Sequence, residues 1–209
     1  MTLHTVLTFA LMAALLIVTP GPNNLLIART VPTSGRAAGF ANIAGFITAF
    51  VLHGTLVVFG LSVILLASAT AFFVLKMLGA AYLAWVGLKA LAEALRGTRP
   101  QAVAPARRRR TLGRAYAEGL MTNALNPKVS MFYIAALPQF LPPEAMTPAN
   151  VYALVLVHSA LNATWFTLLI LLFARLGSAF AGGRLTRWVK GATGLVFLGF
   201  GAKLATLKP

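Results

Sequence analysis

Six long apolar stretches, separated by short basic or proline-containing connections, leave this chain few ways to fold. They run over Leu3–Ala28, Phe40–Leu66, Ala69–Leu95, Ala115–Leu141, Ala149–Ala174 and Trp188–Leu207. Each approaches or exceeds the ~20 residues that a helix needs to cross the hydrocarbon of a bilayer. Of 209 residues, 59% are hydrophobic and only 10% are charged, too few charges for the surface of a soluble domain of this length. The expected class is an all-α polytopic membrane protein of six transmembrane helices with no soluble domain.

The net charge of +15, from 18 basic and 3 acidic residues, would ordinarily raise nucleic acid as a partner. Its placement argues against that. Arg96, Arg99, Arg107, Arg108, Arg109, Arg110 and Arg114 cluster between the third and fourth spans. Arg175, Arg184, Arg187 and Lys190 surround the fifth-to-sixth connection, and Arg29 and Arg36 the first-to-second. The 138–150 connection carries only Glu144, and the N-terminus only His4. The positive-inside rule therefore puts the three basic loops in the cytoplasm and both termini outside. The Arg107–Arg110 run reads as a topology anchor that can touch anionic lipid, with no nucleic acid bound. Met1-Thr2-Leu3-His4 lacks the basic region of a signal peptide, so the first span is expected to stay. Cysteine is absent, which excludes disulfides and thiol chemistry.

The polar, proline-containing segment 97–113 divides the chain into a first three-helix unit, 1–96, and a second, 114–209. Pro22 and Pro127 are 105 residues apart, and so are His53 and His158. Each half thus carries one proline breaker at the same place: Thr19-Pro20-Gly21-Pro22-Asn23, then Asn126-Pro127-Lys128. An odd number of spans per half inserts the second half upside down, giving an inverted repeat with its first and fourth helices broken. The offset holds through the second span of each half and drifts in the third.

Direction gives the breakers meaning. The pieces after Pro22 and Pro127 would lie in opposite leaflets with both N-termini at the membrane centre. Thr19 or Asn126 would cap them, and proline suits the first helical position. Such ends attract anions, a carboxylate included. Lys128, just inside a helix N-terminus and mid-span, is unfavourable on both counts. Either an anionic ligand visits it, or it snorkels or pairs with Glu118. The expected substrate-binding residues are Pro20, Gly21, Pro22, Asn23, Asn126, Pro127 and Lys128.

These residues resemble a family. Thr19-Pro20-Gly21-Pro22-Asn23 is similar to the signature of the LysE/RhtB amino-acid exporters. Gly79-Ala80-Ala81-Tyr82-Leu83 with Gly87 resembles its third span. Gly119-Leu120-Met121-Thr122-Asn123, Asn126-Pro127-Lys128 and Leu137-Pro138-Gln139-Phe140 resemble its fourth. The resemblance covers nearly the whole chain in order, except the arginine-rich connection. It implies export of amino acids or close derivatives across the bacterial inner membrane, driven by the proton-motive force.

His53 and His158 sit inside the second and fifth spans. They can be hydrogen-bonded helix partners or a proton-carrying pair. Glu118 is the acid expected inside the bundle, since Glu93 lies near a helix end and Glu144 in a loop. Glu118, His53 and His158 are therefore the proton-coupling candidates. Lys76 is expected to snorkel. Gly35, Gly39, Gly45, Gly191, Gly194, Gly199 and Gly201 form small-residue faces for helix packing that would also allow a homodimer. A metal-ion exporter of related architecture would want more carboxylates or histidine-rich loops. An intramembrane enzyme would need a nucleophile–base pair or a metal set. No catalytic residue, metal ligand or cofactor is assigned. The expected partners are a small amino-acid substrate, protons and lipid.

Overall fold

The computed structural model describes residues 1–61, 69–96, 108–142 and 145–176, with isolated positions between 191 and 202. Among these residues the chain is helical and contains no strand. Most of the span expected over 188–207, Glu144, residues 97–107 of the basic connection, Arg184, Arg187, Lys190 and the side chains of Lys76 and Arg175 lie outside the described residues.

Helix α1 covers Leu3–Val18 and is opened by the Thr2 side chain, which accepts from the Thr5 amide at 3.2 Å. It stops where Pro20 makes the residue before it extended, with Thr19 at φ −62°, ψ 126°. Helix α2 then runs from Pro22 to Leu56, with proline at its first position, where its missing N–H costs nothing. A π-helical turn, Val57–Leu61, closes it. Helix α3 covers Ala69–Arg96. Helix α4, Leu112–Ala124, ends just before the second breaker, and α5 resumes at Pro127 and reaches Phe140. Helix α6 covers Pro148–Leu176.

Both breaks fall at the proline motifs, but two expectations fail in detail. Thr19 does not cap the helix after the break. It is the C-cap of α1, with its hydroxyl donating back to Leu15 O at 2.7 Å, and Gly21 stands at the start of α2 without a side-chain cap. Gly35 does not pack against a neighbour either. Its φ of 83°, a left-handed conformation that glycine tolerates without strain, is the joint between two helical pieces within α2.

Two described segments are long and apolar enough to cross a membrane, Pro22–Gly60 with 39 residues and Pro148–Leu172 with 25. The pieces beside the breaks are shorter: α1, α4 and α5 have 16, 13 and 14 residues. At 1.5 Å per residue, none spans ~30 Å of hydrocarbon alone. Leu3, Leu7 and Leu11, four apart on one face of α1, are 73%, 60% and 60% exposed, a stripe suited to lipid rather than water.

The interior is built from Phe9, Phe46, Phe50, Phe132, Tyr133 and Phe166, with aliphatic side chains between them. Helix α2 packs chiefly on α4 and α6, α3 on α5, and α1 on α6. The closest crossing uses glycine on both sides. A methyl on Gly45 would overlap the backbone of Tyr116, Gly119 and Leu120, and one on Gly119 the backbone of Asn42. Asn42 secures the crossing by donating to Ala115 O at 2.6 Å. Gly87 of α3 meets Gly194 in the same way. These glycines let backbones touch, the usual device where lipid supplies no hydrophobic drive between helices.

Candidate functional site

The two breaks lie side by side. From the first comes a carbonyl: Thr19 O, at the negative C-terminal end of α1. From the second comes a cation: Lys128 Nζ, which donates to Thr19 O at 2.8 Å. The lysine is thus displaced from the unfavourable N-terminus of its own helix, α5, onto the favourable C-terminus of another. It does not pair with Glu118. That carboxylate lies near the start of α4, held by Arg110 Nε at 2.7 Å and Arg114 Nε at 3.1 Å. The i, i+4 spacing of Arg114 and Glu118 favours this local pairing over a reach into the core. The cluster also includes Ser34, whose Oγ accepts from the Arg110 amide at 2.8 Å.

The helix starts on the two sides are chemically unlike. Asn126 caps α5, its Oδ1 accepting from the Lys128 amide at 3.1 Å. Gly21 offers no such group, so the first turn of α2 has free N–H donors. A β-carbon on Gly21 would come within 3.4 Å of Lys128 Nζ. Proline at positions 20, 22 and 127 sets the chain directions here and contributes no donor of its own.

Asparagines tie this region together. Asn23 donates to Asn123 Oδ1 at 2.9 Å, and Asn123 donates to Phe46 O at 2.8 Å. Asn24 folds back toward Ile17 O and Thr19 O, at 3.4 and 3.3 Å. Asn123 is fully buried and joins both halves, yet it was not among the expected site residues. The available signal was its amide in an apolar span, a placement that demands partners.

His53 and His158 come together around one ring. His53 stacks on Tyr133 at 5.5 Å between centroids, and His158 on the same ring at 5.6 Å. His158 also stacks on Phe50 at 4.1 Å and meets Phe132 edge-on. His53 Nε2 lies 3.4 Å from Asn123 O. Both nitrogens of His158 and the hydroxyl of Tyr133 have no hydrogen-bond partner among the described residues.

Between the breaks and the histidine lies a small cavity. It is lined by Gly21, Asn23, Asn24, Asn126, Lys128, His158 and Asn162, together with aliphatic and aromatic side chains. Its atom-free space is about 280 Å³ including the mouth, of which about 20 Å³ can hold the centre of a water-sized molecule. That is room for roughly one water. Of the expected binding residues, Gly21, Asn23, Asn126 and Lys128 line it; Pro20, Pro22 and Pro127 flank them in the chain. Among the described residues, no three His, Cys, Asp or Glu side chains gather.

A lysine thus bridges a pair of helix breaks. The profile of LysE type translocators matches residues 14–208. The chain belongs to the LysE type translocator family. This translocator is 28% identical to a threonine efflux protein of Escherichia coli over 200 residues, covering 95% of this chain and 96% of that one. It is 29% identical to a leucine efflux protein of Klebsiella pneumoniae over 213 residues, 97% and 95% of the two chains. An uncharacterized membrane protein of Pseudomonas aeruginosa is 32% identical over 204 residues, 95% and 94% of the two. No solved structure matches it.

Proposed function

We propose that this LysE type translocator is a secondary active exporter of amino acids or close derivatives across the bacterial inner membrane, working as a proton-driven antiporter. The observation that carries the reading is the 2.8 Å contact between Lys128 Nζ and Thr19 O across the two breaks. A zwitterion is the natural intruder into that contact. Its carboxylate takes Lys128 and the uncapped N–H groups of α2, while its ammonium takes Thr19 O and the free Oδ1 of Asn23. Every charge then keeps a partner, as burial requires. Efflux relatives named for threonine and leucine support this class of cargo. The metal-ion reading has no comparable support. A translocation role leaves no enzymatic step to assign.

The architecture proposed with it is six spans in two inverted three-helix units, 1–96 and 114–209, joined by a cytoplasmic basic segment, with both termini outside. Reporter fusions at Pro105 and Pro209 should lie on opposite sides of the membrane; the same side for both rejects it. The proton-coupling groups proposed are His53 and His158, with Glu118 beside the arginines. At ~100 mV each charge moved supplies about 2.3 kcal/mol, enough for more than a tenfold concentration ratio.

The deciding experiment is counterflow and gradient-driven transport in proteoliposomes. Lys128→Ala should lose both while inserting normally, and Lys128→Arg should do poorly because a planar guanidinium does not replace a compact ammonium. Wild-type efflux in Lys128→Ala removes the binding role. Glu118→Gln, His53→Asn and His158→Asn separate coupling from binding: a coupling residue keeps exchange but loses accumulation against a gradient.

A further inference from the structure

Pro127 has no N–H to give back to the helix before it. The carbonyl that a continuous helix would fill from position 127 is Asn123 O, at the end of α4. The Asn126 amide donates to it at 3.1 Å, from the second break, and His53 Nε2 lies 3.4 Å away. A carbonyl only accepts, so the ring proton at this contact is on Nε2. The Asn123 side chain reaches the first break. Its Oδ1 accepts from Asn23 Nδ2 at 2.9 Å, and its Nδ2 donates to Phe46 O at 2.8 Å. Asn23 and Phe46 are 23 residues apart in α2, which a straight helix would separate by about 35 Å. Both meet Asn123, so the two pieces of α2 fold back on each other at Gly35; a methyl on Gly39 of the second piece would collide with Val31 of the first. One fully buried residue therefore holds the first break, the second break and a histidine.

We infer that Asn123 is the positioning residue through which cargo at the breaks sets the proton state of His53. This rests on the proton-driven export reading above, and it singles out His53 as the histidine that answers to cargo. Neither nitrogen of His158 has a hydrogen-bond partner among the described residues. At the register of Asn123, 105 residues earlier, the first half has Val18, whose side chain can make no polar link. The lever is slack in the histidine contact. At 3.4 Å it is longer than an ordinary N–H···O bond, so a small shift of the α4 end tightens or releases it. Cargo supplies that shift from two sides. Its ammonium on Asn23 Oδ1 pulls the amide that Asn123 holds, and its carboxylate on Lys128 pulls the start of α5, whose Asn126 amide shares the same carbonyl. An imidazolium needs that carbonyl more than a neutral ring does, so changing the contact moves a proton on or off Nδ1, exchanged with water. The other titratable groups about His53 are Tyr133 of α5, stacked on it, and His158 of α6 on the same tyrosine ring. Lys128 shares the cavity with His158, and Glu118 of α4 is held by Arg110 and Arg114. Asn123 itself does not titrate, so another neutral residue there leaves the charge of the site as it was.

The test uses the full chain in proteoliposomes with a labelled mixture of the protein amino acids, read both as counterflow without a gradient and as accumulation driven by a pH gradient. Asn123→Leu and Asn123→Ser should lower accumulation roughly tenfold more than counterflow, the equivalent of one hydrogen bond. Asn123→Gln, which keeps an amide, should recover part of the difference. Adding Asn123→Ser to His53→Asn should cost little beyond His53→Asn alone, because both cut one path, whereas its loss should multiply with that of His158→Asn. Equal losses in counterflow and accumulation, or losses that multiply with His53→Asn, overturn the inference and leave Asn123 a packing residue. If no variant at position 123 inserts, the proton count decides. Adding the amino-acid mixture to the detergent-solubilised wild type in weak buffer should change the pH, and His53→Asn should abolish that change; a change that survives overturns the inference. Accumulation by the wild type that ignores the pH gradient overturns the proton-driven reading beneath it, and exchange of no amino acid overturns export itself.

Discussion

The two helix breaks occupy equivalent places in the two halves, 105 residues apart, and do opposite electrostatic work. The first, at Thr19-Pro20-Gly21, presents a carbonyl at the end of one helix and uncapped donors at the start of the next. The second closes its own helix start with Asn126 and sends a lysine across to the first. At the register position where the second half has Lys128, the first has Asn23. The two breaks thus share a proline interruption of the backbone and differ in polarity. The unlike pair brings a helix-end carbonyl, an uncapped helix start and a cation together, the set that the proposed zwitterionic cargo would use.

The largest effect should come from erasing that difference. Lys128→Asn makes the second break resemble the first and removes a charged hydrogen bond worth about 1.5–3 kcal/mol, so efflux should fall roughly 10- to 100-fold. The reciprocal change, Asn23→Lys with Lys128→Asn, should not restore transport, because Asn23 is already needed as a donor to Asn123. Recovery in the double variant, measured by counterflow, would show that the breaks are interchangeable.

Next is the link between the breaks. Asn123→Ala leaves the Asn23 amide buried and without its acceptor, at a cost of about 1–3 kcal/mol, which should lower the melting temperature in detergent. An unchanged melting temperature means that water replaces the amide and the link is not structural.

The caps should then separate the breaks in a graded way. Asn126→Ala removes the side-chain N-cap of the second break, a group the first break lacks, and should cost about 1 kcal/mol of stability. Gly21→Ala should change stability by no more than about 0.5 kcal/mol, since φ of −170° is open to any residue. Its β-carbon nevertheless approaches Lys128 Nζ, so a few-fold loss of efflux is expected with little loss of fold. A large stability loss in Gly21→Ala would show that the first break is under strain rather than merely uncapped.

Several features were legible without coordinates because they follow from local chemistry. Apolar length marks spans, and proline marks where a helix cannot continue, so the breaks at Thr19–Gly21 and Leu125–Asn126 lie where the motifs placed them. Family membership was legible for the same reason, carried by those motifs in order. Glu118 shows the limit. Hydropathy put it inside a span, but a carboxylate four residues from Arg114 and near Arg110 takes the partners within reach. Thr19 shows it again: its residue type permits an N-cap, and only the path of the chain through Pro20 makes it a C-cap.

Apolar length and composition determined that the described residues are helical and that proline motifs interrupt them, since those properties depend on neighbours in sequence. Which polar groups meet was decided by tertiary structure alone. Lys128 finds Thr19 across 109 residues, Asn23 finds Asn123 across 100, and two histidines converge on Tyr133. Inside an apolar bundle a polar side chain must take whatever partner the packing brings to it. The close crossing of Gly45 and Gly119 sets that packing, and no local pattern encodes its outcome.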